Sequence, residues 1–341
     1  MAKLLAYVVS GSGGSSTVVS PVNIRTKVAG APITFGTGGQ SIAVTPNGKT
    51  VYVPLTPGVV IPIDTATNTA LPAIAVGSEP FSILVTPNGR TVFVANTGSN
   101  SVTPIHVKSN LPLAAIPVGN EPSRMVMTPN GRTIYTVNIG DNSVTPIRVS
   151  DHAPKAPIPV GASPNSAAIT PDGKILYVGN FGGNTVTPIK IRTDTPLAAI
   201  PVGAGPAAIV VTPNSKMAYV SNGGDGTVTP IEVATQTARP PIPVGNSPFD
   251  MAVTPNGKTV YVVCTGSNTV RPIHVATNTP GPPIAVPPGP FTLGITPNGK
   301  TLFVTGNPNL LAPIRISDNV PETPIVVGQA PSAFAFAVID D

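Results

Sequence analysis

The sequence predicts an all-β protein: a single closed β-propeller of eight blades, each of four antiparallel strands, spanning residues 1–341 as one domain. Three observations carry this. A repeat of about 42 residues runs from end to end, which is the length of a propeller blade. An aromatic residue recurs eight times at one place in the repeat. A proline recurs eight times at another.

The repeat is anchored by the tetrapeptide Thr-Pro-Asn/Asp-Gly (once Ser), which begins at Thr45, Thr86, Thr128, Thr170, Thr212, Thr254 and Thr296. Blades one to seven are numbered by these turns. In blade two, the apolar run Ser82 to Val85 reads as the innermost strand. Thr86-Pro-Asn-Gly89 then reads as a tight turn, with proline setting φ and Asn-Gly supplying positive φ. Thr91 to Val94 is the second strand, Asn96 to Asn100 a loop, and Ser101 to Val107 the third strand. Ala114 to Val118 is the outermost strand, ending at Gly119. Rim sequences such as Ala-Pro-Ile-Pro-Val (156–160) place proline where a sheet edge needs blunting. The third-strand prolines fall on a strand paired on both sides, so a bulge or a lost hydrogen bond is expected there.

Seven turns suggest seven blades, but the strand markers count eight. The second-strand aromatics are Tyr7, Tyr52, Phe93, Tyr135, Tyr177, Tyr219, Tyr261 and Phe303. The third-strand prolines are Pro21, Pro62, Pro104, Pro146, Pro188, Pro230, Pro272 and Pro313. The chain therefore starts at a second strand and ends with an unpartnered inner strand, Ala333 to Val338. That C-terminal strand must join three N-terminal strands to complete blade eight, leaving no open edge at the seam. Phe334, Phe336 and Val338 alternate with alanine, so one bulky face is expected to be buried, at about 1.5–3 kcal/mol per side chain.

Composition agrees. Only 10% of residues are charged and 41% are hydrophobic, which argues against disorder, while Gly (34) and Pro (44) supply turns. The lone cysteine, Cys264, excludes an internal disulfide framework, and its place at the end of a second strand marks it as a packed thiol. No run approaches a membrane span. No signal peptide is evident after Lys3, so the expectation is a cytoplasmic chain, or a secreted or cell-surface one whose leader was removed.

The second-strand sequences Phe-Val-Ala-Asn (93–96), Tyr-Val-Gly-Asn (177–180) and Tyr-Val-Ser-Asn (219–222) resemble the YVTN motif. Asn-Thr-Val-Thr-Pro-Ile (268–273) and Ala-Thr-Asn-Thr (276–279) match as well. Along nearly its whole length the chain resembles bacterial and archaeal YVTN-repeat propellers, with two departures: eight units where seven are common, and the third-strand proline. The resemblance implies architecture and carries over no functional site, because motif residues are turn and core residues. Relatives include surface-layer and adhesion modules, and more distant propellers include lactone hydrolases and streptogramin lyases. Fold analogy does not choose among these.

His106 and His274 lie four repeats apart, hence on opposite sides of the ring, and share no metal; His152 falls in a polar loop. No metal and no cofactor is expected. Lys49, Arg90, Arg132, Lys174, Lys216, Lys258 and Lys300 each follow the tight turn, and Lys3 matches them in blade eight. This basic ring serves solubility and hairpin blunting, or else meets an anionic polymer or surface. Nucleic acid is disfavoured, since stacking aromatics are missing from those turns.

The opposite face is where the repeats differ. Among the residues entering each inner strand stand Phe81, Phe249 and Phe291, with Arg124 and Asp250 one step further in. Glu79 and Glu121 precede the strands of blades two and three, and Asp141 and Asp225 suit Asx-type turns. Apolar walls with a few polar groups are the usual make-up of a pocket. The leading expectation is therefore a monomeric, non-catalytic binding or interaction protein, holding a small molecule, glycan or peptide at this mouth. The alternative is an enzyme at the same mouth: a lyase, lactone hydrolase or natural-product cyclase acting on a largely apolar substrate. Asp250, Arg124, Glu79 or Glu121 would then serve as its polar groups. Catalytic residues are not assigned, and a Ser/His/Asp triad is not available.

Overall fold

The computed structural model describes residues 3–11 and 16–339. It contains eight sheets, one per blade; seven are ordered from innermost to outermost strand along the chain, and in the eighth the innermost strand comes from the C-terminal end and the others from the N-terminal end. In blade two the strands are Pro80–Val85, Thr91–Asn96 and Ser101–His106, followed by an outermost strand in two pieces, Leu111–Pro112 and Ile116–Pro117. Among the described residues the helical segments are two 3₁₀ turns, and no helix is long and apolar enough to cross a membrane.

The ring has no single core. Eight apolar clusters form instead, one at each interface between neighbouring blades. The second-strand aromatics are their largest members and are almost fully buried. Strand alternation explains this: successive side chains of a blade point to its two neighbours, so both faces of every sheet must be apolar.

The outermost strand is not the continuous run expected from Ala114 to Val118. It breaks opposite the third-strand proline, with pairs Ile105–Pro112 and His106–Leu111 on one side and Val102–Ile116 and Ser101–Pro117 on the other. Backbone N–H and C=O of a strand residue point the same way, so a proline offers only its carbonyl. Each is used: Leu113 N–H donates to Pro104 O at 2.8 Å, and Leu197 N–H to Pro188 O at 2.8 Å. The break falls where the missing donor would have been needed.

The tight turn also differs in detail. Gly89 takes positive φ (67°), but Asn88 does not. Asn88 acts through its side chain instead, its Oδ1 accepting from Thr86 Oγ1 (2.7 Å) and Arg90 N–H (3.0 Å). The glycine of one turn then meets the proline of the preceding one. A Cβ on Gly131 would lie 3.2 Å from Pro87, and one on Gly257 3.2 Å from Pro213. The turns thus interlock around the base of the ring.

Closure joins both ends of the chain. Pro331–Ile339 pairs antiparallel with Lys3–Ser10, in register from Lys3–Ile339 to Val9–Ala333. The bulky face of this strand is less buried than the alternation suggested. Phe334 and Phe336 are half-buried, Val338 is 45% exposed, and the fully buried residue is Ala337. Phe334 borders the central opening, so part of its face has no protein to cover it.

A further set of contacts ties blade to blade. Tyr7, Tyr52, Tyr135, Tyr219 and Tyr261 donate to Asn68, Asn110, Asp194, Asn278 and Asn319 of the next blade, at 2.6–2.7 Å. Every acceptor has positive φ, in the hairpin between third and outermost strands. Asn and Asp tolerate that conformation better than most residues, which accounts for the Ala-Thr-Asn-Thr pattern. For the two phenylalanines, other residues hold the same position. His152 lies edge-on to Phe93 with centroids 5.6 Å apart, and Lys27, which holds the matching positive-φ position in blade eight, pairs with Glu322.

Candidate functional site

The inner strands of blades two to six share an irregularity at their first residues. In blade two, Pro80 pairs with Asn96 and Ser82 with Ala95, leaving Phe81 without a cross-strand partner. The same shift occurs after Pro122, Pro164, Pro206 and Pro248. A bulge of this kind re-aims a side chain at a sheet edge. Here, in every one of these blades but the fourth, the re-aimed residues border a central cavity of about 650 Å³ at the mouth of the ring.

Five of the seven residues singled out from the sequence line this cavity: Phe81, Arg124, Phe249, Asp250 and Phe291. Phe249 and Phe291 stack with centroids 4.6 Å apart and planes 30° apart. Phe81 and Phe291 remain 39% and 44% exposed, both at the same cavity. Glu79 and Glu121 stand elsewhere. Both are exposed, hold positive φ, and border a separate groove between blades two and three, so the structure does not bring them to the cavity. Asp141 and Asp225 do not make local Asx turns either. Each accepts from the loop entering its own blade, Asp141 from Asn120 N–H (2.6 Å) and Asp225 from Ala204 N–H (2.6 Å).

The two charged groups of the cavity are held differently. Asp250 sits deep in the ring with one edge still facing the cavity. Its Oδ2 accepts from Thr292 Oγ1 (2.7 Å) and Leu293 N–H (3.1 Å), and its Oδ1 from Met251 N–H (2.9 Å). Burial nevertheless pushes its pKa above the ordinary carboxylate value, against the pull of those hydrogen bonds and of Arg124 across the ring. Arg124 is exposed in the mouth and, among the described residues, has no ion-pair or hydrogen-bond partner. Beside it the buried hydroxyl of Ser123 also lacks a partner.

Ser123 and Thr292 stand at inner-strand entries that differ among the repeats but are not among the residues singled out from the sequence, and Phe334 is not foreseen at this site. Phe334 could have been found from Gly294, the residue that makes room for it: a Cβ there would lie 2.8 Å from the Phe334 ring. Among the described residues no cluster of His, Cys, Asp and Glu could hold a metal. Cys264 is fully buried, and burial pushes its thiol up to about 11, which fits a packed side chain and not a nucleophile. The basic turns lie at the opposite ends of the inner strands from the mouth. All eight cations are exposed, and Lys174 pairs with Asp172 at 3.2 Å.

Fold and site together define an eight-bladed β-propeller with an aromatic-lined mouth. The family model described as "Lactonase, 7-bladed beta-propeller" matches residues 195–281, roughly two of the repeats. No curated protein matches the chain. Among solved structures, the chain is similar to dihydro-heme d1 dehydrogenase NirN in complex with DHE, with a TM-score of 0.81 and 15% identity over 97% of this chain and 74% of that one. It is also similar to hydrazine synthase of Kuenenia stuttgartiensis, with a TM-score of 0.66 and 22% identity over 82% of this chain and 96% of that one. A functionally unknown protein from Desulfotomaculum acetoxidans DSM 771 gives a TM-score of 0.63 and 17% identity, over 82% of this chain and 95% of that one. At such identities the likeness is one of fold.

Proposed function

We propose that the chain is a single-domain binding propeller of the YVTN-repeat type whose ligand, a small molecule, sits in the mouth of the ring. The observation that carries this reading is a coincidence of shape and variation. The positions at which otherwise uniform repeats differ are the inner-strand entries that border the cavity; three of them carry phenylalanine, and bulges turn two of these, Phe81 and Phe249, towards it. A volume of about 650 Å³ falls within the range of roughly 300–1,000 Å³ that holds drug-sized ligands. A glycan or peptide would enter by one ring or one residue.

Catalysis in the same mouth is the second reading. It is favoured by the lactonase-type match, which spans Phe249 and Asp250. Asp250, with its raised pKa, would then be the acid.

Thermal-shift screening of a small-molecule library tests the binding reading. Compounds that raise the melting temperature of the parent protein should lose their effect on the Phe249→Ala and Phe291→Ala variants, with affinities falling about tenfold or more. Compounds that stabilise all three proteins equally would place the ligand elsewhere.

A further inference from the structure

We infer that the ligand of the mouth is an organic anion with a flat apolar body, its carboxylate held by Arg124 and Ser123 and its body against the phenylalanines. This rests on the mouth being the ligand site and adds the chemical class.

The inference follows from counting which polar groups of the cavity are already satisfied. Asp250 and Arg124 are the two charged side chains lining it. The Asp250 carboxylate accepts three hydrogen bonds from blades six and seven, so little of its capacity is left for a cationic ligand. Arg124 has five donors and no partner among the described residues. Ser123 as a residue is 6% exposed and borders the same cavity, and its hydroxyl, buried just beneath the wall of the mouth, is likewise unpartnered. Unmet capacity in the mouth is therefore for an acceptor, and a planar guanidinium fork matches a carboxylate in bidentate fashion. A buried hydroxyl left without a partner costs stability, which a ligand oxygen would recover.

The apolar half of the ligand is read from the other blades. Phe249 and Phe291 are already stacked and still leave Phe291 exposed, so a flat body can extend the stack. Phe81 stands in blade two, next to the blade that carries Arg124. A ligand bridging these groups would be an aromatic or conjugated carboxylate.

The test uses three probes of one shape and different charge: 2-naphthoate, 2-naphthalenemethanol and 2-naphthylmethylamine, titrated calorimetrically. Naphthoate should bind at least about tenfold more tightly than the alcohol, and the amine most weakly. Arg124→Gln should abolish the preference for naphthoate while leaving the alcohol unchanged. Ser123→Ala should weaken naphthoate alone, and Phe249→Ala should weaken naphthoate and alcohol together. Equal affinity for naphthoate and alcohol, or a preference that survives Arg124→Gln, would overturn the anion assignment and leave the mouth as a ligand site. Absence of binding by all three probes, or binding indifferent to Phe249→Ala, would overturn the mouth reading itself. Arg124 is exposed and unpartnered, so its replacement should leave the melting temperature unchanged, which separates lost recognition from lost fold.

Discussion

Asp250 shows how one residue can serve both architecture and site. Its hydrogen bonds to Thr292 and Leu293 join blade six to blade seven at the point where the Pro248 bulge leaves blade six without regular pairing. Its burial raises the carboxyl pKa in the folded state. A raised pKa means the folded protein holds a proton that the unfolded chain has released. The stability associated with this group is therefore present below the ordinary carboxylate pKa and is lost as pH rises through the folded value. In Asp250→Asn that dependence disappears. The unfolding free energy of the variant relative to the parent should improve as pH rises above the ordinary carboxylate pKa of about 4. A difference between the two proteins that stays constant over this rise would show that Asp250 titrates in the fold as it does in the open chain.

At the scale of the element, the hairpin between third and outermost strands is the part whose sequence reads as filler and whose structure is specific. In five blades the positive-φ residue at its tip receives the tyrosine hydroxyl of the preceding blade, while Tyr177, which faces Gln236 at that position, keeps an unpartnered hydroxyl. The residue type changes with its partner: Asn or Asp beneath the five donating tyrosines, His152 or Lys27 at the matching positions for the two phenylalanines. Burial pushes Tyr219 up to about 12, so it stays a donor through the physiological range. Tyr219→Phe should cost about 0.5–1.5 kcal/mol in denaturant unfolding, the worth of one hydrogen bond. Asn278→Ala, which removes the acceptor and also puts alanine at positive φ, should cost more. If both substitutions leave the midpoint unchanged, packing alone joins the blades.

For the molecule as a whole, stability depends on the ring being closed. Lys3–Ser10 contains Leu5, Tyr7 and Val9, buried to 3% exposure or less, and its inner edge is paired only by Pro331–Ile339. Removing residues 332–341 would take Ala337 and Ile339 from the cluster around these side chains and leave a strand edge unpaired. Loss of that edge matters more than loss of the half-buried Phe334 and Phe336. The truncated chain should unfold or aggregate at temperatures where the parent is native. A cooperative melt at the parent temperature would show that the seven intact blades suffice.

Much of this architecture was legible without coordinates, because it is local and repeated. The Thr-Pro-Asn-Gly turns, the aromatic and proline markers and the count of eight follow from short-range periodicity that every blade restates, and the circular closure follows from where the count begins and ends. The positions lining the mouth were legible too, since difference among repeats singles them out. Tertiary structure decided what depends on residues distant in sequence. Phe249 and Phe291 become a stack only when blades six and seven meet. Asp250 turns out to be engaged by blade seven while Arg124 stays free. Glu79 and Glu121 fall outside the cavity and border a separate groove formed where the loops of blades two and three meet. Phe334 reaches the opening because Gly294, about 40 residues earlier, yields the space. Periodicity specifies the blade, but only the ring brings residues of seven of the blades to a common centre.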